Sequence, residues 1–377
     1  MTWQLVRGGD GADPDVVFTV RDGTILERHT LGDWAELRPG LAIPPHLGRL
    51  CPGLVDIHCH GGGGHTFCAT DPDEARKAAE FHHRSGSTTV VASLVTAGEE
   101  VLLAQIRALR PLVGEGVIAG IHLEGPFLAT GRCGAQDPRR LVAPDAAMAR
   151  RLLDAGEGTV VMMTLAPELP GAEVVAEVLD EAGVRVALGH TEADYATFRR
   201  ALDAPKPRVV THLGNAMAPL HHRDLGPVGA VLHKFAVEMW SSVYVELIAD
   251  GLHVADEFVE IFARMDNACV ALVSDAMAAT GMPDGRYRLG ELDVAVRGGA
   301  ARLANGALAG STSTLADIAR RGRRDAFDVE ICASSGPAEA LGLADVGSLE
   351  PGKRADFLVL DDECRVQKVM RRGEWLS

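Results

Sequence analysis

Short apolar runs alternate with amphipathic stretches along most of the chain, and this alternation is the feature that most constrains its fold. Eight runs are rich in Val, Ile and Leu with little polar alternation. That composition is typical of parallel strands covered on both faces. The runs lie at residues 54–60, 88–95, 117–124, 159–165, 184–190, 208–212, 243–248 and 269–275.

Six stretches between these runs have the spacing of amphipathic helices, and several begin at Asp, Glu or Pro and end near Gly, as helix capping favours. These stretches lie at residues 71–84, 99–109, 144–155, 172–182, 193–202 and 254–265. Strand and helix units in series predict an α/β fold, a closed (β/α)8 barrel of the TIM type. A doubly wound open sheet is the alternative, but the glycine fingerprint of dinucleotide binding is missing.

Both ends of the chain carry short strand patterns instead. Residues 15–27 and 355–375 each contain strand-like segments separated by a Gly-containing turn. We expect a small β-sandwich domain formed by the N- and C-terminal segments, residues 1–51 and 355–377. Residues 52–354 then form the barrel domain.

A β-rich insertion follows the last predicted barrel strand, at about residues 286–308. Gly298-Gly299 and Asn305-Gly306 have the composition of tight turns, which predicts short antiparallel strands between them. We expect this insertion to have a structural role.

Composition favours an enzyme that acts on a small molecule. Of 377 residues, 47% are hydrophobic and 24% charged, which is ordinary for a globular enzyme. A formal net charge of -15 repels nucleic acid and anionic membranes, so we expect neither as a partner. The N-terminus lacks an apolar signal core, and the seven cysteines form no CxxC pair. We therefore expect a cytoplasmic protein with reduced thiols.

Residues that can bind metal or transfer protons fall at the carboxyl ends of the predicted strands, which form the catalytic face of a (β/α)8 barrel. The first strand ends in His58-Cys59-His60. Because residues i and i+2 share a face of a strand, the two histidines point the same way and Cys59 points away. The matching residues at other strand ends are Glu124, His190, His212 and Asp275. This convergence predicts a metal site.

The remaining histidines allow two interpretations each. His122 lies two residues before Glu124 on the same strand face, so it either supports a metal ligand or packs in the core. His65, His221 and His222 lie in loops above the predicted barrel, where they either contact substrate or are simply solvated.

Several sequence motifs resemble the amidohydrolase superfamily, and within it the group that deacetylates N-acetyl amino sugar 6-phosphates. HLEGPF and HLxNAM are specific to that group, whereas HxH and PGKxADF belong to the superfamily at large. The resemblance covers nearly the whole chain. The motifs are PGLVDIHCHG (52–61), GIHLEGPF (120–127), LGHT (188–191), THLGNAM (211–217), ADGLHV (249–254), VSDAM (273–277), LAGS (308–311) and PGKRADFLVL (351–360).

The resemblance implies one divalent ion held by Glu124, His190 and His212, with an open position for water. Many relatives bridge two ions with a carbamylated lysine from strand four, but TVVMMTLAPE offers none, so Glu124 takes the carboxylate role. Because the HxH pair is present, we also expect a second ion, held by His58 and His60 together with Glu124 and Asp275. We expect Zn, although Fe, Mn and Co suit the same ligands.

The resemblance also implies the reaction, which is hydrolysis of N-acetyl-D-glucosamine 6-phosphate to D-glucosamine 6-phosphate and acetate. Asp275 acts as general base and then as general acid, and the pathway is amino-sugar catabolism and cell-wall recycling. The galactosamine epimer as substrate is one alternative. A sugar-phosphate binder without catalysis is another, but a pure binder has no need of Asp275.

Matching motif positions imply a set of substrate contacts and a homodimer whose Arg223 reaches the neighbouring active site. Arg suits phosphate because its planar guanidinium makes paired, charge-assisted bonds. Gln136 stands where the group commonly has His, so its amide can donate a hydrogen bond but carries no charge. The implied contacts are Ala135, Gln136, Asn215, Ala216, Arg223, His253, Leu308, Ala309 and Gly310.

Overall fold

The computed structural model describes residues 3–238, 242–265, 269–322, 328 and 330–377. Its strands are numbered in chain order. They are β1 (Trp3–Gly9), β2 (Val16–Arg21), β3 (Thr24–Thr30), β4 (His46–Pro52), β5 (Val55–Cys59), β6 (Gly61–Gly62), β7 (His65–Thr66), β8 (Thr89–Leu94), β9 (Gly120–Glu124), β10 (Val160–Leu165), β11 (Arg185–Leu188), β12 (Arg208–Val210), β13 (Val243–Leu247), β14 (Cys269–Leu272), β15 (Gly285–Leu289), β16 (Leu292–Arg297), β17 (Ala300–Arg302), β18 (Phe357–Leu360), β19 (Val366–Arg371) and β20 (Glu374–Trp375).

The α-helices of the described chain are mostly amphipathic and lie between the strands. They are α1 (Leu31–Leu37), α2 (Pro72–Arg84), α3 (Glu99–Gly114), α4 (Ala146–Gly156), α5 (Ala172–Glu181), α6 (Tyr195–Leu202), α7 (Gly226–Val237), α8 (Asp256–Ala263), α9 (Leu315–Gly322) and α10 (Gly336–Leu341). Side-chain caps fix several starts: Asp71, Asp145 and Asp194 each accept a hydrogen bond from a backbone N–H in the first turn of the helix that follows.

Eight parallel strands form the barrel, in the order β14-β13-β12-β11-β10-β9-β8-β5. This order follows the chain, and each parallel pair is joined by a crossover that contains a helix. The first and last strands are joined just beyond β14, where Asp275 N donates to His58 O at 2.9 Å and His60 N donates to Ala276 O at 2.7 Å. The predicted (β/α)8 barrel is confirmed.

The end segments also pair as predicted, into one seven-stranded sheet in the order β20-β19-β18-β4-β1-β2-β3. Phe18 of β2 and Phe357 of β18 are three steps apart in that order, yet their ring centroids lie 5.1 Å apart. The sheet therefore folds over on itself around a small core of its own. Its division from the barrel at residues 51 and 355 stays a prediction.

The sequence pattern missed helices α1, α7, α9 and α10. Helix α7 has the sequence GPVGAVLHKFAV and is buried along much of its length, so it has no polar stripe to mark its period. Helices α1, α9 and α10 have six to eight residues each and lie before or after the eight predicted strand runs. Strands β1 and β4 were also missed, because Gly interrupts both.

The predicted insertion forms a separate three-stranded antiparallel sheet, β15-β16-β17. Its small apolar core includes Leu289, Val294 and Val296, and it packs against Met277 and Ala309 beside the barrel mouth. Within the described part of the chain, no helix has both the length and the apolar composition that crossing a membrane requires.

Candidate metal centre and active site

The predicted ligands converge at the carboxyl ends of the barrel strands, around the carboxylate of Glu124. One oxygen of this carboxylate, Oε1, lies 2.9 Å from His190 Nε2 and 3.0 Å from His212 Nε2. These three side chains come from β9 and from the residues just beyond β11 and β12. All three are buried, and together they form a group that can hold one metal ion.

A second group lies on the other side of the same carboxylate. His60 Nε2 lies 3.3 Å from Glu124 Oε2 and 3.2 Å from Asp275 Oδ1. His58 Nε2 lies 3.7 Å from both Glu124 Oε1 and Asp275 Oδ1. His58, His60 and Asp275 form a further buried group of metal-ligand spacing. The two groups are adjacent because both contact Glu124.

Local backbone strain directs three of these side chains toward the barrel axis. His190, His212 and Asp275 have φ values of 47°, 28° and 47°, in the left-handed region that non-glycine residues rarely adopt. A residue held this way costs on the order of 1–3 kcal/mol and persists only where its surroundings fix it. Gly310 helps to fix Asp275, because a Cβ at this glycine would lie 2.8 Å from the Asp275 carbonyl oxygen.

Hydrogen bonds at Nδ1 orient three of the four histidines so that Nε2 faces the carboxylates of the cluster. His190 Nδ1 donates to Arg132 O at 2.9 Å and His60 Nδ1 donates to Ser93 O at 3.0 Å. His58 Nδ1 donates to Glu246 Oε2 at 2.9 Å. His58 Nε2 is buried without a hydrogen-bond partner in the described chain. An unbonded nitrogen that faces two carboxylates fits a metal ligand, since a ligating histidine usually donates its other N–H in this way.

The electrostatics keep both carboxylates of the cluster ionised. Burial raises the pKa of Glu124, but hydrogen bonds and charge from His190, His212 and His58 outweigh burial and hold that pKa well below its ordinary value. Burial likewise raises the pKa of Asp275, and the His60 hydrogen bond together with the charges of His58 and His60 lowers it overall. Asp275 is therefore a carboxylate at neutral pH, the state that a general base needs.

Glu246 of β13 is a buried acid that sequence reasoning missed. Its Oε2 accepts from His58 Nδ1 at 2.9 Å and from the backbone N–H of His212 at 3.1 Å. It thus fixes one residue from each of the two metal-ligand groups. A charged residue in the apolar run VYVEL is the sequence signal that could have revealed it, because a buried acid needs a partner.

The packing around the ligands decides between the two interpretations of His122 and shows the direction in which Cys59 points. His122 Nδ1 and Nε2 are bonded to Ser93 Oγ at 2.9 Å and Thr164 Oγ1 at 2.8 Å, so neither ring nitrogen is free for a metal. Its ring packs against that of His58, with centroids 4.6 Å apart. Cys59 points away from the ligands, as predicted, and its Sγ lies 3.2 Å from His82 Nε2 on α2.

A cavity of about 360 Å³ opens beside the metal-ligand groups. Most of the predicted substrate contacts line it, together with neighbours from the insertion. The lining includes Gly134, Ala135, Gln136, Asn215, Ala216, His253, Asp275, Leu289, Arg302, Ala307, Leu308 and Gly310. Residues of the insertion therefore form part of the cavity wall, and the expectation that the insertion has a structural role stays a prediction.

Gln136 is bonded to a metal ligand in addition to lining the cavity. Its Nε2 donates to Glu124 Oε2 at 2.5 Å, while its Oε1 accepts from Thr96 N at 2.7 Å. The second bond fixes which end of the amide faces Glu124. In this structure the amide donor of Gln136 is engaged with Glu124 and not directed to a substrate acyl oxygen.

His253 lines the cavity, and a hydrogen bond to Asp250 fixes the orientation of its ring. Its Nδ1 donates to Asp250 Oδ2 at 2.8 Å, and Ser311 Oγ donates to the same oxygen at 2.9 Å. Burial lowers the pKa of His253, but Asp250 outweighs burial and raises this pKa above its ordinary value. The side chain can therefore present a positive charge to a ligand.

Several predicted contacts do not line this cavity. Arg223 lies on an exposed loop, where its Nη1 is 2.7 Å from His222 Nε2. Ala309 is buried, and its N–H donates to Ala301 O at 3.0 Å. His65 Nδ1 donates to Glu74 Oε2 at 2.9 Å, and His221 takes part in the same exposed loop as Arg223.

Glu246→Gln tests whether this carboxylate orients His58 for a metal. The amide has the same shape but no charge, so the affinity for divalent metal should fall by about 10- to 100-fold. Metal content after dialysis against a graded chelator series measures this change. Glu173→Gln, at an exposed position on α5, should retain metal like the unchanged protein. Equal metal retention in both variants would contradict the assignment.

The comparisons with known proteins agree with this site. Residues 49–376 match the family model described as "Amidohydrolase family". An N-acetylglucosamine-6-phosphate deacetylase from Vibrio furnissii is 34% identical over 98% of this chain and 93% of its own. A structure of N-acetyl-D-glucosamine-6-phosphate deacetylase from Mycobacterium smegmatis is 40% identical with a TM-score of 0.90, covering 99% of this chain and 100% of that one. A mutant of the Mycobacterium smegmatis enzyme in complex with N-acetyl-D-glucosamine 6-phosphate has the same identity and TM-score, covering 100% and 99%. The chain belongs to the amidohydrolase family, within its N-acetylglucosamine-6-phosphate deacetylase group.

Proposed function

We propose that this chain hydrolyses N-acetyl-D-glucosamine 6-phosphate to D-glucosamine 6-phosphate and acetate. One observation carries the proposal: the Asp275 carboxylate lies in the same cavity as Glu124, His190 and His212. A metal-ligand cluster beside a carboxylate base is what hydrolysis of an unactivated amide requires. The substrate class follows from the relatives, whose names specify amino-sugar phosphates.

The family implies a divalent metal, and the donor groups fit one. We propose that Glu124, His190 and His212 hold the first ion. The HxH pair, with Glu124 and Asp275, then holds a second. Zn is the ion we expect, because it prefers imidazole and carboxylate ligands, and Fe, Mn or Co can use the same set. When bound, a divalent ion supplies Lewis-acid chemistry that activates water near neutral pH and polarises a carbonyl.

Asp275 performs the proton transfers. It accepts a proton from the attacking water as the water oxygen bonds to the acetyl carbon. It then delivers that proton to the amide nitrogen as the carbon–nitrogen bond breaks, because an amine leaves poorly unless it is protonated. The products are acetate and the free amino sugar phosphate, so atoms and charge balance.

The cavity wall supplies the groups that orient the sugar. Asn215 and Ala216 lie three and four residues after the metal ligand His212 and line the same cavity, so the sugar is held close to the cluster. Leu308 and Gly310 belong to the segment after β17, and they offer backbone groups to the sugar in the same cavity. The positively charged form of His253 suits the phosphate.

We further propose a homodimer in which Arg223 reaches the neighbouring active site. Arg223 is exposed and lies outside the cavity of its own subunit, on a loop with His221 and His222. Leu220, three residues before Arg223, is also exposed, at 49%. An exposed apolar side chain near an exposed arginine suits a surface that a second subunit covers.

The galactosamine epimer is the second candidate substrate. An N-acetylgalactosamine-6-phosphate deacetylase from Escherichia coli O157:H7 is 35% identical over 87% of this chain and 88% of its own. The two sugars differ in one hydroxyl configuration and use the same metal chemistry. A non-catalytic binder is the third candidate, and the presence of Asp275 beside the metal ligands argues against it.

Acetate release from metal-loaded protein distinguishes these candidates. We expect the highest kcat/KM with N-acetyl-D-glucosamine 6-phosphate, and lower values with its galactosamine epimer and with unphosphorylated N-acetylglucosamine. A preference for the epimer would establish the second candidate instead. No turnover of any of the three sugars would contradict the proposed function.

Asp275→Asn tests the proton-transfer role. The amide cannot accept the water proton, so kcat should fall by about 100- to 10,000-fold, the usual contribution of general acid–base catalysis. Turnover is measured at saturating substrate, and metal content is measured on the same preparation. Asp293→Asn is the control, because its carboxylate is 98% exposed and distant from the cavity lining. Near-normal turnover in Asp275→Asn would remove this residue from the base role.

Subunit complementation tests the placement of Arg223. Arg223→Gln and Asp275→Asn should each be strongly impaired alone. When they are co-expressed, a mixed dimer gains one site with both residues intact, so about a quarter of the sites should recover. Acetate release and light scattering measure activity and mass. Activity no greater than the separate variants give, or a monomer in solution, would contradict the arrangement.

A further inference from the structure

Arg302 ends β17 of the insertion and lines the same cavity as the metal-ligand groups. Its side chain is exposed, and Nη1 donates to Gly306 O at 2.8 Å, in the turn that links Arg302 to Leu308. This single bond anchors one edge of the guanidinium. The remaining donors of a guanidinium with only one anchor are available for a ligand.

The charge of Arg302 has no acidic partner in the described chain, and this sets it apart from nearby arginines. Arg140 pairs with Glu291 at 2.9 Å, and Arg288 lies 3.9 Å from Asp293. Arg302 makes no such ion pair among the described residues, although the protein carries a net charge of -15. An unpaired arginine beside a ligand cavity, in a strongly acidic protein, is well placed to bind an anion.

The lining of the cavity carries both signs of charge. The carboxylates Glu124 and Asp275 line it, and so do His253 and Arg302. Burial lowers the pKa of His253, Asp250 and the charge of Asp275 outweigh burial and raise it overall, and the charge of Arg302 opposes that rise. Two basic groups in the lining of one cavity suit a dianionic group of a ligand.

We infer that Arg302 binds the 6-phosphate of the substrate from within the same subunit, alongside His253. This inference rests on the proposed function, since it names the residue that recognises the charged end of that substrate. It assigns a specificity role to the insertion, which has no part in the metal centre. It also gives each active site a phosphate contact that does not depend on Arg223 of a second subunit.

Arg302→Gln provides the test, in metal-loaded protein. KM for N-acetyl-D-glucosamine 6-phosphate should rise by about 10- to 100-fold, the effect of losing charge-assisted hydrogen bonds, with kcat nearly unchanged. The value of kcat/KM for unphosphorylated N-acetylglucosamine should stay within about threefold, because that sugar offers no phosphate to lose. Arg302→Lys should give an intermediate KM, since it keeps the charge but not the planar fork.

Arg286→Gln is the matched control, because Arg286 is an exposed arginine on β15 of the same sheet but does not line the cavity. It should change neither substrate's kinetics. An unchanged KM for the phosphorylated sugar in Arg302→Gln would overturn the inference and leave the proposed function intact. An equal loss on both sugars would overturn it as well, because that result indicates a structural role.

Calorimetry with glucosamine 6-phosphate separates this inference from the proposed function. If the unchanged protein turns over no sugar, the proposed function fails, and binding of this phosphate still tests Arg302. A dissociation constant about 10- to 100-fold weaker in Arg302→Gln than in Arg286→Gln supports the assignment. Equal binding by the two variants, or no binding by the unchanged protein, overturns it.

Discussion

The Glu124 carboxylate is the interaction on which the rest of the active site depends. It lies at the end of β9, with His190 and His212 against one oxygen and His60 and Gln136 against the other. A buried carboxylate is costly unless it is paired and hydrogen-bonded. Here the side chains that stabilise its charge are the same ones that can ligate a metal. Stability of the folded core and the chemistry of the site thus rest on a single group.

The position of Asp275 depends on barrel closure. Its N–H donates to His58 O at 2.9 Å, and its carbonyl accepts from Ser311 N at 2.7 Å. The residue that closes the barrel between first and last strands is therefore also the residue that faces the HxH pair. Its positive φ is maintained by these two bonds and by the close approach of Gly310. A proton-transferring group gains fixed geometry from bonds that the fold requires in any case.

The active-site cavity combines two structures of different kinds. The barrel contributes side chains from strand ends, where buried neighbours hold each rotamer. The insertion contributes a wall with its own small core around Leu289 and Val294, packed against the barrel at Met277. The residues that can hold a metal lie on the barrel, and an added sheet forms part of the cavity wall beside them. This division allows substrate preference to change without altering the metal ligands.

The sequence by itself determined the barrel, the pairing of the two ends, the metal-ligand residues and the outward direction of Cys59. Each of these follows from a local pattern, such as an apolar run, an i and i+2 spacing or a motif with a fixed order. Only the tertiary structure decided what Glu246, Gln136 and Arg302 contact. Glu246 and His58 are 188 residues apart in the chain and become neighbours only when the barrel closes. Contacts of this kind have no sequence period, because strand order and side-chain packing create them, and so a single sequence cannot reveal them.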